Sequence, residues 1–278
     1  MSVTVIKHNG ETEVFDPDKL RDSLMRAKTS IITADEIVAE IVAYIKNGMT
    51  TDEIYKKAFA ILNKKDRGSA AVYSIRRSIL DLGPSGFPFE KFFAEILRKK
   101  GYEVQNNVPL KGKCVEHEVD AVAYDDDSLF FAEIKFHNQL GVKTDTKVGL
   151  YVKARFDDLA SEKFIFDGKE MKLTKGLLIT NTKFTNNLIK YANCVGNLEL
   201  ISWDYPEKGN LYDLIAETNL QPTTCIPQLT KREKRELVDR GLVNCASLKD
   251  NEEAMREVGV PDKKIKEVVD NIDAICSV

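Results

Sequence analysis

The chain has 278 residues, a formal net charge of −3, 43% hydrophobic and 31% charged residues, which is the composition of an ordinary globular protein with room for two or three domains. No apolar run approaches the roughly 20 residues that a membrane span needs, and the N-terminus lacks the apolar core of a secretion signal, so we expect a cytoplasmic protein with no membrane partner. The five cysteines form no C-x-x-C pair that would indicate a zinc site, and the slightly negative charge means that any nucleic-acid-binding surface must be local.

The first 84 residues are predicted to form a small hairpin followed by four helices. Asn9-Gly10 is typical of a two-residue hairpin turn between strands. Asp16 and Pro17 then have the residue types of a helix cap and of a first helical position.

Two of the later helices in this segment are predicted to begin with capping boxes. The boxes are Thr33-x-x-Glu36 and Thr50-x-x-Glu53, each followed by apolar residues at helical spacing. A last helix ends before a Gly-Pro-Ser-Gly sequence, which predicts a domain boundary.

Residues 85–220 have the pattern of an α/β domain. One helix with an apolar stripe precedes three strands, and helices and strands then alternate. The predicted elements are a helix at 89–99, strands at 102–108, 116–124 and 129–136, a helix at 149–160, a strand at 176–180, a helix at 186–192 and a strand at 198–203.

The segment 225–278 is predicted to be helical. Thr230 and Glu233 have the spacing of a capping box for a helix that ends at Gly241, and Pro261 is predicted to open the terminal helix. We therefore expect an α/β multidomain protein with domains at 1–84, 85–220 and 225–278.

An acidic pair is predicted across the central hairpin. The sequence Asp-Asp-Asp-Ser at 125–128 predicts its turn. If each residue before the turn pairs with the one equally far after it, Asp120 faces Glu133, and Lys135 shares the face of Glu133. Opposed carboxylates this close need a cation or a shared proton, and Mg²⁺ (or Mn²⁺) is a suitable oxygen-liganded ion. An ordinary Asp/Glu/Lys ion-pair cluster would fit the same residues.

The order Glu90, Asp120, Glu133-Ile134-Lys135 resembles the PD-(D/E)XK nuclease superfamily. FEKFFAEILRKKGYEV at 89–104 and GLLITNTKFTNNLIKYA at 176–192 are similar to its Mrr-like restriction endonuclease branch. The resemblance implies a restriction-endonuclease-like α/β sandwich that hydrolyses DNA with Mg²⁺. It implies Asp120 and Glu133 as metal ligands, Lys135 as the catalytic lysine and Glu90 as an auxiliary catalytic acid.

Polar residues after the lysine are candidate DNA contacts. His137 and Asn138 follow it directly and would reach a phosphate or the outer shell of the metal, or they simply end a strand at the surface. The basic residues downstream would grip the DNA backbone or form a solvated face. These residues are Lys143, Lys147, Lys153 and Arg155.

The N-terminal segment resembles the ATP-cone domain over about residues 3–83. The resemblance rests on VIKHNG at 5–10, Glu13, Phe15-Asp16 and Lys19-Leu20, and it implies ATP or dATP as an effector. Lys7 and Lys19 are suited to phosphates, because one leaves the hairpin and the other lies in the first turn of a helix. The implied nucleotide-binding residues are Val5, Lys7, His8, Glu13, Lys19, Thr51 and Tyr55. A cone that serves only structure or oligomerisation is the alternative.

The C-terminal segment resembles helix–hairpin–helix modules. In these modules the amides of a glycine-containing turn meet a DNA phosphate. The predicted contacts are Gly259, Lys263 and Lys264, and a helical protein–protein module is the alternative.

Together these patterns predict a nucleotide-regulated, Mg²⁺-dependent DNA endonuclease of restriction, phage defence or DNA repair. We expect a homodimer or a larger assembly, because ATP-cone domains commonly act through oligomeric state and duplex cleavage needs two active sites. One alternative is a non-catalytic, nucleotide-sensing regulator that binds DNA, and another is a nuclease acting on RNA or single-stranded DNA.

Overall fold

The computed structural model describes residues 3–7 and 10–276, which form two compact units. The first unit combines the N-terminal segment up to Ser78 with Gln221–Leu237 and the chain from Asn244 onward. The second unit comprises Ile79–Leu220 and Val238–Val243. The chain therefore leaves the first unit, builds the second and then returns.

The N-terminal part of the first unit contains one hairpin and four helices. Their bounds are β1 (Thr4–Ile6), β2 (Thr12–Val14), α1 (Pro17–Arg26), α2 (Ile31–Tyr44), α3 (Thr51–Lys65) and α4 (Arg67–Leu80). The predicted cap of α1 is confirmed, since Asp16 Oδ1 accepts hydrogen bonds from the amides of Asp18 and Lys19. Apolar residues of α1, α2 and α3 at helical spacing form a common core, to which Leu24, Ile37, Ile41, Ala58 and Leu62 contribute buried side chains.

The predicted start of α2 is wrong, whereas that of α3 is confirmed. Ser30, with extended backbone angles, is the N-cap of α2, and its Oγ accepts a hydrogen bond of 3.1 Å from Thr33 N. In the predicted box the amide of Thr33 would donate to the Glu36 side chain. That amide already donates to the Ser30 hydroxyl, so the predicted box does not form. At α3 the box is complete, since Glu53 N donates to Thr50 Oγ1 and Thr50 N donates to Glu53 Oε2.

The second unit contains a five-stranded mixed sheet and its helices. Its elements are α5 (Phe87–Lys99), β3 (Glu103–Lys111), β4 (Glu116–Tyr124), β5 (Leu129–Lys135), β6 (Lys143–Thr144), α6 (Thr146–Leu159), β7 (Phe164–Phe166), β8 (Lys169–Met171), β9 (Lys175–Thr180), β10 (Lys183–Phe184), α7 (Asn186–Val195), β11 (Leu198–Ile201) and α8 (Leu211–Thr218). The strand order is β11-β9-β5-β4-β3. The pairs β3/β4 and β4/β5 are antiparallel, and β5/β9 and β9/β11 are parallel.

Helices cover both faces of this sheet. On one face Phe131 packs in a cluster with Val152 of α6 and Leu188 of α7. On the other face Phe136, just beyond β5, contacts Phe89 of α5 with 5.6 Å between ring centroids. The predicted α/β sandwich is confirmed.

Gly149 lets α6 and α7 approach closely. A Cβ atom at this position would lie 2.2 Å from Leu188 Cδ1, so a larger residue would displace the Leu188 side chain from its place in the core. The short hairpin β7–β8, the two-residue strands β6 and β10, and α8 were not predicted from the sequence.

The C-terminal part of the first unit is helical, as predicted. A 3-10 turn (Thr223–Cys225) precedes α9 (Lys231–Asp239), α10 (Cys245–Lys249), α11 (Glu252–Glu257) and α12 (Asp262–Cys276). The predicted capping box of α9 is confirmed by reciprocal hydrogen bonds between Thr230 and Glu233. Thr224 Oγ1 donates to the carbonyl of Ser78, which joins this segment to α4. Over the described residues, none of the helices has the length and apolar character that a bilayer crossing requires.

The assignment of Ser30 as the cap of α2 predicts that removing the Ser30 hydroxyl lowers stability more than removing the Thr33 hydroxyl. We expect Ser30→Ala to lower the free energy of unfolding by about 1 kcal/mol, because it removes the acceptor of the Thr33 amide. Thr33→Ala leaves that hydrogen bond in place and should change the free energy by less than about 0.5 kcal/mol. Urea unfolding of both variants measures the two changes in free energy. A larger loss for Thr33→Ala would mean that Thr33, as predicted from the sequence, is the cap of α2.

Candidate active site

The two central strands of the second unit separate at an aspartate. The predicted register of β4 and β5 is confirmed, and their ladder runs from Tyr124↔Leu129 to Ala121↔Ala132. At the next position the amide of Ile134 donates to Asp120 Oδ2 at 2.6 Å. A side chain thus replaces the backbone as acceptor, and β5 continues along β9 only.

Glu133 lies beside this point and is held between two cations. Its side chain is buried, with 3% of the residue exposed. Lys135 Nζ lies 2.5 Å from Glu133 Oε1, and Arg155 Nη1 of α6 lies 2.5 Å from Oε2. These contacts offset the cost of removing a carboxylate from water.

Glu90 of α5 belongs to the same electrostatic cluster. Burial, then the charge of Asp120 and, more weakly, that of Glu133, raise its pKa to about 6 against the opposing charge of Lys135. The pKa of Asp120 is also raised, mainly by burial and then by Glu133, while the Ile134 amide lowers it. The structure therefore brings together the four residues proposed as catalytic, including Glu90, which the sequence could not place.

This donor set suits a hard divalent cation. In the described part of the chain, no group of three or more His, Cys, Asp or Glu side chains is arranged to hold a metal ion. Two carboxylates are nevertheless sufficient for Mg²⁺ or Mn²⁺, which keep several water ligands and are often completed by substrate phosphate oxygens. Burial, and then the charge of Glu133, raises the pKa of Asp120, and a bound cation would favour its charged form.

His137 is fixed at the end of β5 by polar residues of the neighbouring strand. Its amide donates to Asn181 Oδ1 at 2.8 Å, and Asn181 Nδ2 donates to its carbonyl at 2.9 Å. The ring Nε2 lies 2.9 Å from Thr144 Oγ1. Burial, and then the charge of Lys135, lowers the pKa of His137 and so favours the neutral imidazole. Asn138 instead donates to the carbonyl of Pro84.

The basic residues downstream divide into an exposed pair and a half-buried pair, Lys153 and Arg155. Lys143 in β6 and Lys147 in the first turn of α6 are exposed. The sequence suggested that Arg155 grips the DNA backbone, but in the structure it forms an ion pair with Glu133. Arg155 follows Lys147 by two turns and Tyr151 by one turn, which puts all three residues on one face of α6. This spacing was the only sequence signal that Arg155 could reach the acidic site.

In the first unit, Lys7 and Lys19 converge on one carboxylate. Their Nζ atoms lie 2.9 and 3.4 Å from Glu13 Oε2. Lys7 holds the pKa of Glu13 below its usual value, and Glu13 raises that of Lys7. Val5 pairs with Glu13 in the hairpin and has a buried side chain, so only its backbone is available to a ligand. His8, predicted to bind the nucleotide, lies outside the described residues.

The remaining predicted nucleotide-binding residues lie at the start of α3. Ile6 pairs with Thr50, which places Lys7 next to the helix that begins at Thr51. One turn later, Tyr55 stacks on Tyr73 with 5.1 Å between centroids, and the Arg77 guanidinium carbon lies 3.7 Å from the Tyr55 ring centroid.

At the C-terminus, the predicted turn is present, but one of its lysines is engaged. Gly259, with a φ of +84°, joins α11 to α12. Lys263 is exposed in the first turn of α12. Lys264 Nζ lies 2.7 Å from Glu233 Oε2, so this lysine stabilises the packing of α9 and α12.

Three protein families match successive parts of the chain. They are the ATP cone domain at 3–81, the restriction endonuclease (Mrr) domain at 83–205 and the AF1548-like C-terminal domain at 222–276. An uncharacterised protein of Archaeoglobus fulgidus is 38% identical over 177 residues, covering 63% of this chain and 95% of the relative. The chain belongs to the AF1548-like family. The predicted ATP-cone and Mrr-like domains are confirmed, while the helix–hairpin–helix interpretation of the C-terminus stays a prediction.

A solved structure described as AF1548, a protein of unknown function, is similar to this AF1548-like chain. It is 36% identical with a TM-score of 0.54, and the match covers 69% of this chain and 99% of that one. The MspJI restriction endonuclease in complex with a 27-mer oligonucleotide is 16% identical with a TM-score of 0.31, over 54% of this chain and 36% of that one, which is too distant to bear on the site.

The raised pKa of Glu90 predicts a pH-dependent gain from its removal. A carboxyl group whose pKa is higher in the folded state destabilises the fold as the pH rises from about 4.5 to 6. In metal-free buffer we expect Glu90→Gln to raise the free energy of unfolding at pH 8 by about 1 kcal/mol after allowance for solvent screening, and this gain should vanish at pH 4. Urea unfolding at both pH values tests it.

Glu95→Gln is the matched control on the same helix. Glu95 pairs with Arg98, so its substitution should give no gain at pH 8. An equal change for Glu90→Gln at both pH values would mean that the Glu90 carboxyl is not perturbed.

Proposed function

We propose that this protein is a metal-dependent DNA endonuclease regulated by ATP or dATP, acting in restriction, defence or repair. The observation that carries the proposal is the convergence of Asp120, Glu133 and Lys135 where β4 and β5 separate, within a restriction endonuclease domain. Carboxylates beside an amine form a site for hydrolysing a phosphodiester.

The proposed roles follow from where the groups lie. Asp120 and Glu133 would hold Mg²⁺ or Mn²⁺ through carboxylate oxygens. When bound, the ion supplies Lewis acidity and lowers the pKa of its water. Lys135 has 38% of its side chain exposed, so its ammonium is accessible to orient the attacking water and to stabilise the charge that develops on phosphorus. Glu90, with a pKa of about 6, would act as an auxiliary acid beside the attacking water.

Contacts with DNA are proposed on the same unit. Lys143 and Lys147 are exposed near the start of α6 and would bind backbone phosphates. The neutral, well-anchored His137 would donate or accept one hydrogen bond next to Lys135. In the first unit, the turn at Gly259 with Lys263 is a second proposed phosphate contact, to which Lys264 contributes only if it leaves Glu233.

Cleavage of plasmid DNA with Mg²⁺ tests the assigned site. We expect Asp120→Ala and Lys135→Ala each to reduce the rate at least about 100-fold, because each removes a group that acts in the transition state. Lys163→Ala is the matched control, since this lysine pairs with Glu170 on the β7–β8 hairpin, and it should cleave like the parent.

The same assay, repeated on RNA and single-stranded DNA and accompanied by a DNA-binding measurement, decides between the candidate activities. Parent-like cleavage by both site variants would mean that the site is elsewhere. Cleavage of RNA or single-stranded DNA alone would change the substrate but keep the site. A non-catalytic DNA-binding regulator is favoured by one observation, namely that cations already neutralise both oxygens of Glu133, and it requires tight DNA binding without nicking.

Regulation is proposed to act through the hairpin lysines and the start of α3. Lys7 and Lys19 share one carboxylate, and both ammonium groups can turn to the phosphates of a nucleotide. Because the ligand alters the protein only by binding two of its states unequally, we propose that the nucleotide shifts a homodimer or a higher homo-oligomer between less and more active forms.

Nucleotide binding by the full chain tests this assignment. We expect Lys7→Ala and Lys19→Ala each to weaken ATP or dATP binding roughly tenfold, since each removes a charge-assisted contact of about 1.5 kcal/mol. Calorimetry measures the affinity, and protein mass in solution is followed with each nucleotide. Lys65→Ala, which breaks only the pair with Glu36, is the control, and equal affinities in all four proteins would exclude the hairpin as the phosphate site.

A further inference from the structure

Arg155 is a cation of the second unit's acidic site that the proposed mechanism does not yet use. Its side chain is 14% exposed and comes from α6, across from the strands that carry the acids. It makes a 2.5 Å contact with Glu133 Oε2, while Lys135 takes Oε1. Glu133 therefore cannot coordinate a metal ion through either oxygen without giving up or sharing a cation.

Arg155 keeps a hydrogen-bond donor that could bind a further acceptor. Its Nε is buried and has no hydrogen-bond partner among residues 3–7 and 10–276. A buried donor left in this way costs free energy. The guanidinium carbon lies 4.5 Å from the centroid of the Tyr151 ring, a surface along which a planar cation can shift while it keeps its stacking.

The charges of the site balance only when a phosphate is included. Asp120, Glu133 and, at pH 8, Glu90 carry three negative charges, and Lys135 and Arg155 carry two positive charges. With a divalent ion held by Asp120 and Glu133, the site would have one positive charge in excess. A phosphodiester brings the one negative charge that balances it.

We propose that Arg155 is a phosphate-binding catalytic residue that competes with the metal ion for Glu133. In the metal-free site the guanidinium neutralises Glu133. With a metal ion and a phosphodiester in the site, the guanidinium would leave Glu133, shift along Tyr151 and donate to the two non-bridging oxygens of the scissile phosphate. The forked donors of arginine fit such an oxygen pair. This inference rests on the proposed nuclease function and adds to it the group that recognises the reacting phosphate.

Metal binding and cleavage are measured on the same full-chain variants at pH 8. Mn²⁺ binding to protein without nucleic acid is followed by calorimetry or by the spin-resonance signal of free Mn²⁺. Arg155→Ala should bind Mn²⁺ at least about threefold more tightly, because the competing cation is gone, yet cleave plasmid at saturating DNA about 100-fold more slowly. Lys163→Ala is the control for both measurements.

Arg155→Lys separates charge from geometry and serves if the alanine variant does not fold. Lysine keeps a cation beside Glu133, so Mn²⁺ affinity should stay within about twofold of the parent, while cleavage falls about tenfold through loss of the planar fork. A residue that only supports Glu133 would behave differently, because its loss would weaken Mn²⁺ binding and slow cleavage together.

Two sets of outcomes overturn the inference. One is weaker or unchanged Mn²⁺ binding by Arg155→Ala, and the other is cleavage by Arg155→Ala at the parent rate. If the parent cleaves none of the nucleic acids tested, the nuclease proposal fails by itself. The Mn²⁺ measurement then still decides the competition, since tighter binding by Arg155→Ala supports it and unchanged binding refutes it.

Discussion

The hydrogen bond from the Ile134 amide to Asp120 decides how the central hairpin opens. A β-strand that leaves its neighbour exposes amides, and a buried amide without an acceptor costs roughly 1–3 kcal/mol. Here the carboxylate supplies the acceptor at 2.6 Å, so the strands part without that cost. The same contact fixes Asp120 beside Glu133, and it lets the backbone of β5 remain in register with β9 through Lys135.

The acids that occupy this opening are stable only because cations accompany them. Glu133 would be costly to bury alone, and its contacts with Lys135 and Arg155 compensate. Burial, and then the charge of neighbouring acids, raises the pKa values of Asp120 and Glu90, which are less well compensated than Glu133. The site thus combines one neutralised carboxylate with two that are short of positive charge, an arrangement that favours an incoming cation followed by an anionic substrate.

The parts of the site that the sequence predicts are those set by local chain geometry. The register of β4 and β5 follows from a turn that Asp125 closes, by accepting from the amides of Asp127 and Ser128, and strand alternation then places Asp120, Glu133 and Lys135. The contact of Arg155 with Glu133 is not predictable in this way, because it depends on how α6 packs across the sheet. The cap of α2 was misplaced for another reason, since Ser30 and Thr33 both have the residue type of a cap and only the backbone angles distinguish them.

The first unit is assembled from both ends of the chain, and this affects how the protein is made. Thr224 bonds to the carbonyl of Ser78, and the chain from Asn244 onward belongs to the same compact unit. During synthesis on the ribosome, the entire sheet with its acidic site emerges before the last helices of the first unit exist. The second unit can therefore fold while the first unit is still incomplete. Nascent chains would therefore carry the formed acidic site before the first unit, with its ATP-cone domain, is complete.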